Sequence, residues 1–178
     1  MTDDERNVMK LLSACLQFPD EEVRQGIAAA VANAEPPKEA AEAITAEFLP
    51  RITGNSVMEL QREYTKTFGT ECGTCLNITY LKFGNGRDRG EALAKLARLY
   101  RQAGFHPVTR ELPDYLPMLL EFVSAGPEPD ALRVLSEYRA QFRDLAARLH
   151  AADSPYAGVM DAIVAVTGAI LEESAAAM

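Results

Sequence analysis

Leu76-Asn77-Ile78-Thr79-Tyr80 is a β-prone run inside a glycine-rich stretch, residues 69–86, that also carries Cys72 and Cys75. Its reading decides the fold class. Five residues make one short strand, and a lone strand has nothing to pair with. No strand pattern elsewhere is long enough to build a sheet, whereas helical spacing runs almost throughout. The expectation is therefore all-α. Residues 69–86 are expected to form a long structured loop, or to hold a helix start whose place the pattern does not fix.

Working outward toward the C-terminus, residues 87–104 space Leu93, Leu96, Leu99 and Tyr100 for one helix face, with Gly104 as the stop. A second irregular stretch, 105–112, leads to a proline-framed helix. In it Pro113 suits a first turn, and Pro117 strains a regular interior. Leu132, Leu135, Phe142, Leu145 and Leu149 mark a helix of some twenty residues, and Ser154 caps the last one, with Val159, Ile163, Val166 and Ile170 facing the core. Toward the N-terminus, Ser56-Val57-Met58-Glu59 fits a capping box opening a helix with Leu60, Tyr64 and Phe68. An amphipathic helix is expected over 38–49, after Pro36-Pro37 breaks an earlier helix capped by Asp20. Asp3 or Asp4 caps the first helix. The sum is roughly eight helices around one core, a single all-helical domain over 1–178 with irregular loops near 69–86 and 105–112.

The 178 residues are 48% apolar and 25% charged, enough for one buried core without metal or disulfide, and not the composition of a disordered chain. The longest apolar stretch, 162–171, includes Thr167 and Gly168 and is half the length of a membrane span. Residues 1–5 carry no basic or apolar leader, so a cytoplasmic chain without membrane insertion is expected. The net charge of −8 and the pI near 4.8 argue against nucleic acid as a partner. That charge is uneven, +5 over residues 82–110 and −5 over 111–130. The acidic stretch is either a solvated face or a surface receiving a basic partner.

Catalytic chemistry finds little support. Cys72-Gly73-Thr74-Cys75 has chelating and redox spacing, but no second CxxC or HxxxH completes a zinc set, and no βαβ unit frames a redox dithiol. Any nucleophile–base pair must use His106 or His150, and neither accompanies a nucleophile motif. Gly84-Asn85-Gly86-Arg87-Asp88-Arg89-Gly90 misses both phosphate-loop spacings. Arg87 and Arg89 oppose the dipole of the helix they open, so partners for them are expected. No catalytic residue and no metal ligand is assigned.

The informative segment is Arg110-Glu111-Leu112-Pro113-Asp114-Tyr115-Leu116-Pro117-Met118-Leu119-Leu120-Glu121-Phe122. Two prolines, three carboxylates and a dense apolar run make either a kinked core helix or an apolar groove with an acidic rim. The second is what a short basic amphipathic peptide requires. On an ideal helix Asp114 and Glu121, seven apart, share a face.

These stretches resemble the redox-enzyme maturation chaperones, the NarJ/TorD-type family also called the nitrate reductase delta subunit. The resemblance lies in Glu63-Tyr64-Thr65-Lys66-Thr67-Phe68, in Tyr80-Leu81-Lys82-Phe83-Gly84 followed by Arg87-Asp88-Arg89-Gly90, in Leu96 to Gly104, and most of all in Glu111-Leu112-Pro113-Asp114-Tyr115-Leu116-Pro117 with Leu120-Glu121-Phe122. Arg-Asp-Arg-Gly before Glu-Leu-Pro-Asp favours the NarJ branch. The resemblance implies a cytoplasmic, all-α, non-enzymatic chaperone. It binds the N-terminal segment of a molybdoenzyme catalytic subunit and holds it until the bis-molybdopterin guanine dinucleotide cofactor is inserted. The client carries that cofactor, and the chaperone holds none stably. Carried onto this sequence, Tyr64 and Phe68 line an apolar groove with Leu116 and Leu120. Glu111, Asp114 and Glu121 receive the peptide's basic side chains beside Tyr115. Arg87, Arg89, Pro113 and Pro117 position the loop, the arginines by pairing with Glu111 or Asp114. Position 115 is Tyr where the family often has His. Nitrate reductase is the expected client, another molybdoenzyme of the dimethyl sulfoxide reductase type the alternative, and a small CxxC thiol or zinc protein the reading from a different class. Monomer and dimer both stay open.

Overall fold

A computed structural model describes residues 1–33, 44–69 and 73–177. Among these residues the chain forms nine α-helices: α1 (Asp3–Cys15), α2 (Glu21–Asn33), α3 (Leu49–Gly54), α4 (Val57–Phe68), α5 (Ile78–Phe83), α6 (Arg87–Gln102), α7 (Leu116–Ala125), α8 (Glu128–Ala151) and α9 (Ala157–Ala176). A π-helical turn, Ile44–Phe48, leads into α3. No strand is present among the described residues, and extended pairing is confined to one antiparallel bridge, Asn77 with Tyr115. The all-α expectation holds. The Pro36-Pro37 break and the first part of the helix expected over 38–49 lie outside the described residues, as does Cys72.

α7 is the central rod. Leu116, Pro117, Met118, Leu119, Leu120, Phe122 and Val123 are all buried, the pattern of a helix covered on most of its surface, with Glu121 left exposed. It packs most extensively on α1 and also on α8, while α8 and α9 form an antiparallel hairpin. One apolar core extends from Val8 to Ile170 and takes residues from every helix. Each fully buried Leu contributes about 1.5–3 kcal/mol relative to exposure.

The helix starts follow local chemistry, with three corrections. α1 is capped by Thr2, not Asp3 or Asp4: the Thr2 hydroxyl accepts from the Glu5 amide, and the Glu5 carboxylate accepts from the Thr2 amide at 2.6 Å. Asp3 and Asp4 fall in the first turn, where the helix dipole favours them. Ser56 and Glu59 form the expected capping box of α4, and the Asp20 carboxylate accepts from the Val23 amide at the start of α2. Ser154 does not cap α9. It sits in the preceding turn and accepts from the Tyr156 amide. Pro113 and Pro117 do not stand where expected: the helix starts later than the first-turn reading of Pro113 implied. α7 begins at Leu116, so Pro117 occupies its first turn, where no amide hydrogen is required, and Pro113 lies in the turn ahead. Nothing strains the helix interior. The β-prone run resolves as α5, whose six residues pack on α6 and α8.

Candidate functional site

Asp114 shows how the two halves of the site are joined. The loop after α6 leaves through Gly104, at φ +71°, and runs to α7 without regular structure. Its far end is stitched to the start of α5: the Ile78 amide donates to the Asp114 carbonyl at 3.0 Å and the Leu116 amide to the Leu76 carbonyl at 2.8 Å. The Asp114 side chain is 0% exposed. It accepts from Asn77 Nδ2 at 2.9 Å, from the Thr79 hydroxyl and from the Thr79 amide at 3.2 Å. Arg89 Nη2 stands 3.7 Å away, completing a buried ion pair. Asp114 thus caps α5 in place of Asn77, whose own side chain makes no cap bond.

Two hollows open on either side of Tyr115. The larger, about 400 Å3, lies between the α1–α2 turn, the 105–112 loop and the start of α7. Phe18, Val23, Phe105, Val108 and Met118 supply apolar surface, and Asp20, Glu111 and Glu121 supply carboxylates. Val108 is 99% exposed and Phe18 49%, a large amount of open apolar surface to gather at one place. No Lys or Arg lines this hollow among the described residues. The smaller, about 310 Å3, is lined by Phe18, Tyr64, Phe68, Leu76, Asn77, Glu111 and Tyr115. The hollows share Phe18, Glu111 and Tyr115.

Tyr64 and Phe68 stack as their spacing predicts, with ring centres 4.8 Å apart. The Tyr64 hydroxyl donates to the Leu16 carbonyl at 3.0 Å and pairs with the Tyr115 hydroxyl at 2.9 Å. Burial holds the Tyr64 phenol far above its ordinary range, reinforced by Tyr115 and by the Glu111 charge. Burial also raises Tyr115, against the opposing effect of its bond with Tyr64. Both phenols are neutral at physiological pH.

The structure redistributes the candidate residues. Glu111 and Glu121 are exposed in the larger hollow, and Tyr115 separates the two. Leu116 and Leu120 are 0% exposed and belong to the core, not the lining; their neighbours Pro117 and Met118 take that place. Asp114 is corrected too. With its oxygens committed inside, it has no face for a peptide cation, and it shares no helix face with Glu121 because it precedes α7. Arg89 pairs with Asp114, whereas Arg87 is exposed at the start of α6. Phe18, Asp20, Val23, Phe105, Val108 and Met118 escaped sequence reasoning. Asp20 was read only as a helix cap, and the signal for Phe105 and Val108 was apolar residues in a loop that no helical face demands.

Among the described residues the two thiols, Cys15 and Cys75, are not activated. Burial pushes Cys15 up to about 12 and raises Cys75 as well, and both are free. Among the described residues no group of three or more His, Cys, Asp or Glu is placed to hold a metal.

A family model, the nitrate reductase delta subunit, matches residues 32–162, well over half of the chain. The chain belongs to the nitrate reductase delta subunit family. The match spans the 105–112 loop, α7 and the Arg89–Asp114 pair, so the Arg-Asp-Arg-Gly and Glu-Leu-Pro-Asp segments meet in space as well as in order. Phe18 and Asp20 lie ahead of it. The chain is 34% identical over 170 residues to a Bacillus subtilis protein named probable nitrate reductase molybdenum cofactor assembly chaperone NarJ, covering 92% of this chain and 90% of that one. It is 30% identical over 166 residues to the Escherichia coli K12 nitrate reductase molybdenum cofactor assembly chaperone NarJ, covering 91% and 70%. A crystal structure of a putative redox enzyme maturation protein from Archaeoglobus fulgidus superposes with a TM-score of 0.67 at 26% identity, over 89% of this chain and 91% of that one. This delta-subunit-family chain therefore shares both its sequence and its helical frame with proteins named for maturation and assembly. No helix among its described residues is long and apolar enough to cross a membrane.

Proposed function

We propose that this chain is a cytoplasmic, non-enzymatic assembly chaperone for a nitrate reductase. It binds the N-terminal segment of the catalytic subunit while that subunit receives its bis-molybdopterin guanine dinucleotide, and it holds no cofactor of its own. The names of its relatives support the assembly role. The observation that carries the binding mode is the larger hollow: apolar side chains from the α1–α2 turn, the loop and α7 line it, Phe18 and Val108 among them exposed, with Asp20, Glu111 and Glu121 beside them and no Lys or Arg in the lining among the described residues. A basic amphipathic helix satisfies both halves, its apolar face on Phe18, Val108 and Met118 and its cations on the carboxylates. Leu116, Leu120 and Asp114 act behind the surface, holding α7 and the loop in place, and Arg89 positions the loop through Asp114.

Titration calorimetry with a synthetic N-terminal peptide of a nitrate reductase catalytic subunit tests this, with a scrambled peptide as control. Affinity on the order of micromolar or tighter for the native order alone is expected. Absence of heat with both, at several temperatures and low salt, sinks the proposal. Preferential binding of the corresponding peptide from another dimethyl sulfoxide reductase-type enzyme reassigns the client.

A further inference from the structure

We propose that Arg89 has a second role: its outward side is a subsite for one carboxylate side chain of the bound segment. The source of that carboxylate rests on the chaperone reading above; the chemistry of the subsite does not.

A further hollow, about 240 Å3, is lined by Cys75, Asn77, Tyr80, Asn85 and Arg89. Asn77 also lines the smaller hollow beside Tyr115, and its backbone bridges to Tyr115, so the two spaces adjoin. The Arg89 guanidinium is oriented from two sides. Asp114 stands 3.7 Å from Nη2, and the centre of the Tyr80 ring lies 5.3 Å from Cζ. Its donors are nevertheless almost unspent. Only Nε has a hydrogen-bond partner among the described residues, the Thr79 hydroxyl at a long 3.4 Å. At 3.7 Å Asp114 is too distant to accept a hydrogen bond, and Asn77 and Thr79 already occupy its oxygens. Neither Nη is sealed from solvent. Arg89 is thus a cation held in place, with both Nη groups free to donate into the hollow it lines. It is the one formal charge in that lining among the described residues, since burial raises the Cys75 thiol and keeps it neutral. The Tyr80 hydroxyl and the Asn85 amide stand beside it with no hydrogen-bond partner among the described residues.

The donor set selects the occupant. A guanidinium fork matches two oxygens of a carboxylate or of a phosphate. Asp114 decides between them. Buried behind Arg89, it offsets the guanidinium charge, so a doubly charged phosphate would meet little net attraction for the water it gives up. A carboxylate sheds less water and takes the same fork. At about 240 Å3 the space holds the end of one side chain, not a helix. The bound segment then has a register: its cations lie at Glu111, one carboxylate lies at Arg89, and Tyr115 and Asn77 stand between.

The test uses the whole chain with 15N-labelled side chains and three probes: Nα-acetyl-glutamate methylamide, its uncharged isostere the glutamine derivative, and inorganic phosphate. A saturable shift of the Arg89 Nε–H signal is expected with the glutamate probe. Its affinity should exceed that of both other probes by about threefold or more, the size of an ion pair open to solvent. Asn85→Asp sets a carboxylate in the hollow from an exposed position, and should abolish the glutamate response while thermal melts stay unchanged. Arg89→Lys keeps a counter-charge for Asp114 but lacks the fork, and should lose the same response, read on the Asn85 side-chain amide. Absence of a glutamate-selective shift overturns the subsite, whatever the client peptide does. Tighter binding of phosphate overturns the assignment to a carboxylate. A second arm replaces each Asp and Glu of the catalytic-subunit peptide by its amide in turn. One position should lose about threefold or more in affinity, and that loss should vanish against Asn85→Asp. If the peptide fails to bind while the glutamate probe fills the hollow, the chaperone reading falls and the subsite stands. If the peptide binds and every amide variant binds alike, the subsite falls and the chaperone reading stands.

Discussion

Asp114 is the residue on which the site's geometry turns. It is a carboxylate with no exposure, held by Asn77, Thr79 and Arg89. A buried ion pair is not in itself a strong stabiliser, but removing one partner leaves the other uncompensated. Asp114→Ala leaves Arg89 partly buried without its counter-charge and the Thr79 amide without its acceptor. The expected loss is about 3–5 kcal/mol, read as a shift in the denaturation midpoint. Asp114→Asn keeps the shape and one acceptor, so its expected cost is smaller, about 1–3 kcal/mol. Equal melts for wild type and Asp114→Ala would remove Asp114 from its anchoring role. Tyr64→Phe probes the neighbouring hydroxyl pair. It deletes one bond to the Leu16 carbonyl and one to Tyr115 while sparing the ring stack. A destabilisation of about 1–2 kcal/mol is expected in the same assay, with the Phe68 ring contacts retained.

At the scale of elements, the capping box at Ser56 offers the cleanest test of a local signal. Ser56→Ala removes the acceptor for the Glu59 amide and should cost about 1 kcal/mol in thermal or urea denaturation, with binding unaltered because Ser56 stands about two turns of α4 before Tyr64, outside both hollows. An unchanged melt would mean that tertiary packing alone sets the start of α4. The caps at Ser56 and Asp20 were legible from the sequence because the chemistry lies within four residues, whereas Thr2 was passed over for its neighbours Asp3 and Asp4, and Ser154 was taken for a cap it does not form. Also legible were the apolar faces of α6, α8 and α9 and the exclusion of a sheet. Beyond those caps, what escaped was set by distant partners. Leu76-Asn77-Ile78-Thr79-Tyr80 has strand propensity, yet it is helical from Ile78, where Asp114, far along the chain, caps it. Pro117 looked like an interior kink until the helix start moved to Leu116, and that start is fixed by the Leu116 amide bonding to Leu76. The groove followed the same rule. Tyr64, Glu111, Tyr115 and Glu121 could be named from their motifs, but Phe18 and Val108 join them only through the fold, and Leu116 and Leu120 could not be told from lining residues while the face turned inward was unknown.

For the molecule as a whole, the acidic run over 111–130 divides by depth. Asp114 is internal, Glu128 binds the N-terminal ammonium and Asp130 pairs with Arg133. Glu111 and Glu121 remain at the groove, joined there by Asp20 from the α1–α2 turn. On a chain of net charge −8 these carboxylates add a local field to a global one of the same sign, which steers a cationic segment toward the groove and is screened over about 10 Å at 0.1 M salt. Affinity for the client peptide should therefore fall as salt rises, chiefly through the association rate. The double variant Glu111→Gln/Glu121→Gln should flatten that dependence. Val108→Ser separates the apolar half of the interaction. Val108 is almost wholly exposed, so stability should change by less than about 0.5 kcal/mol. Affinity should drop mainly through faster dissociation, with the salt slope preserved. Stopped-flow association and dissociation at three ionic strengths reads all of this in one experiment. A salt slope untouched by the double Gln variant would place the peptide's cations elsewhere on the surface, and an unaltered dissociation rate for Val108→Ser would take the loop out of the binding groove.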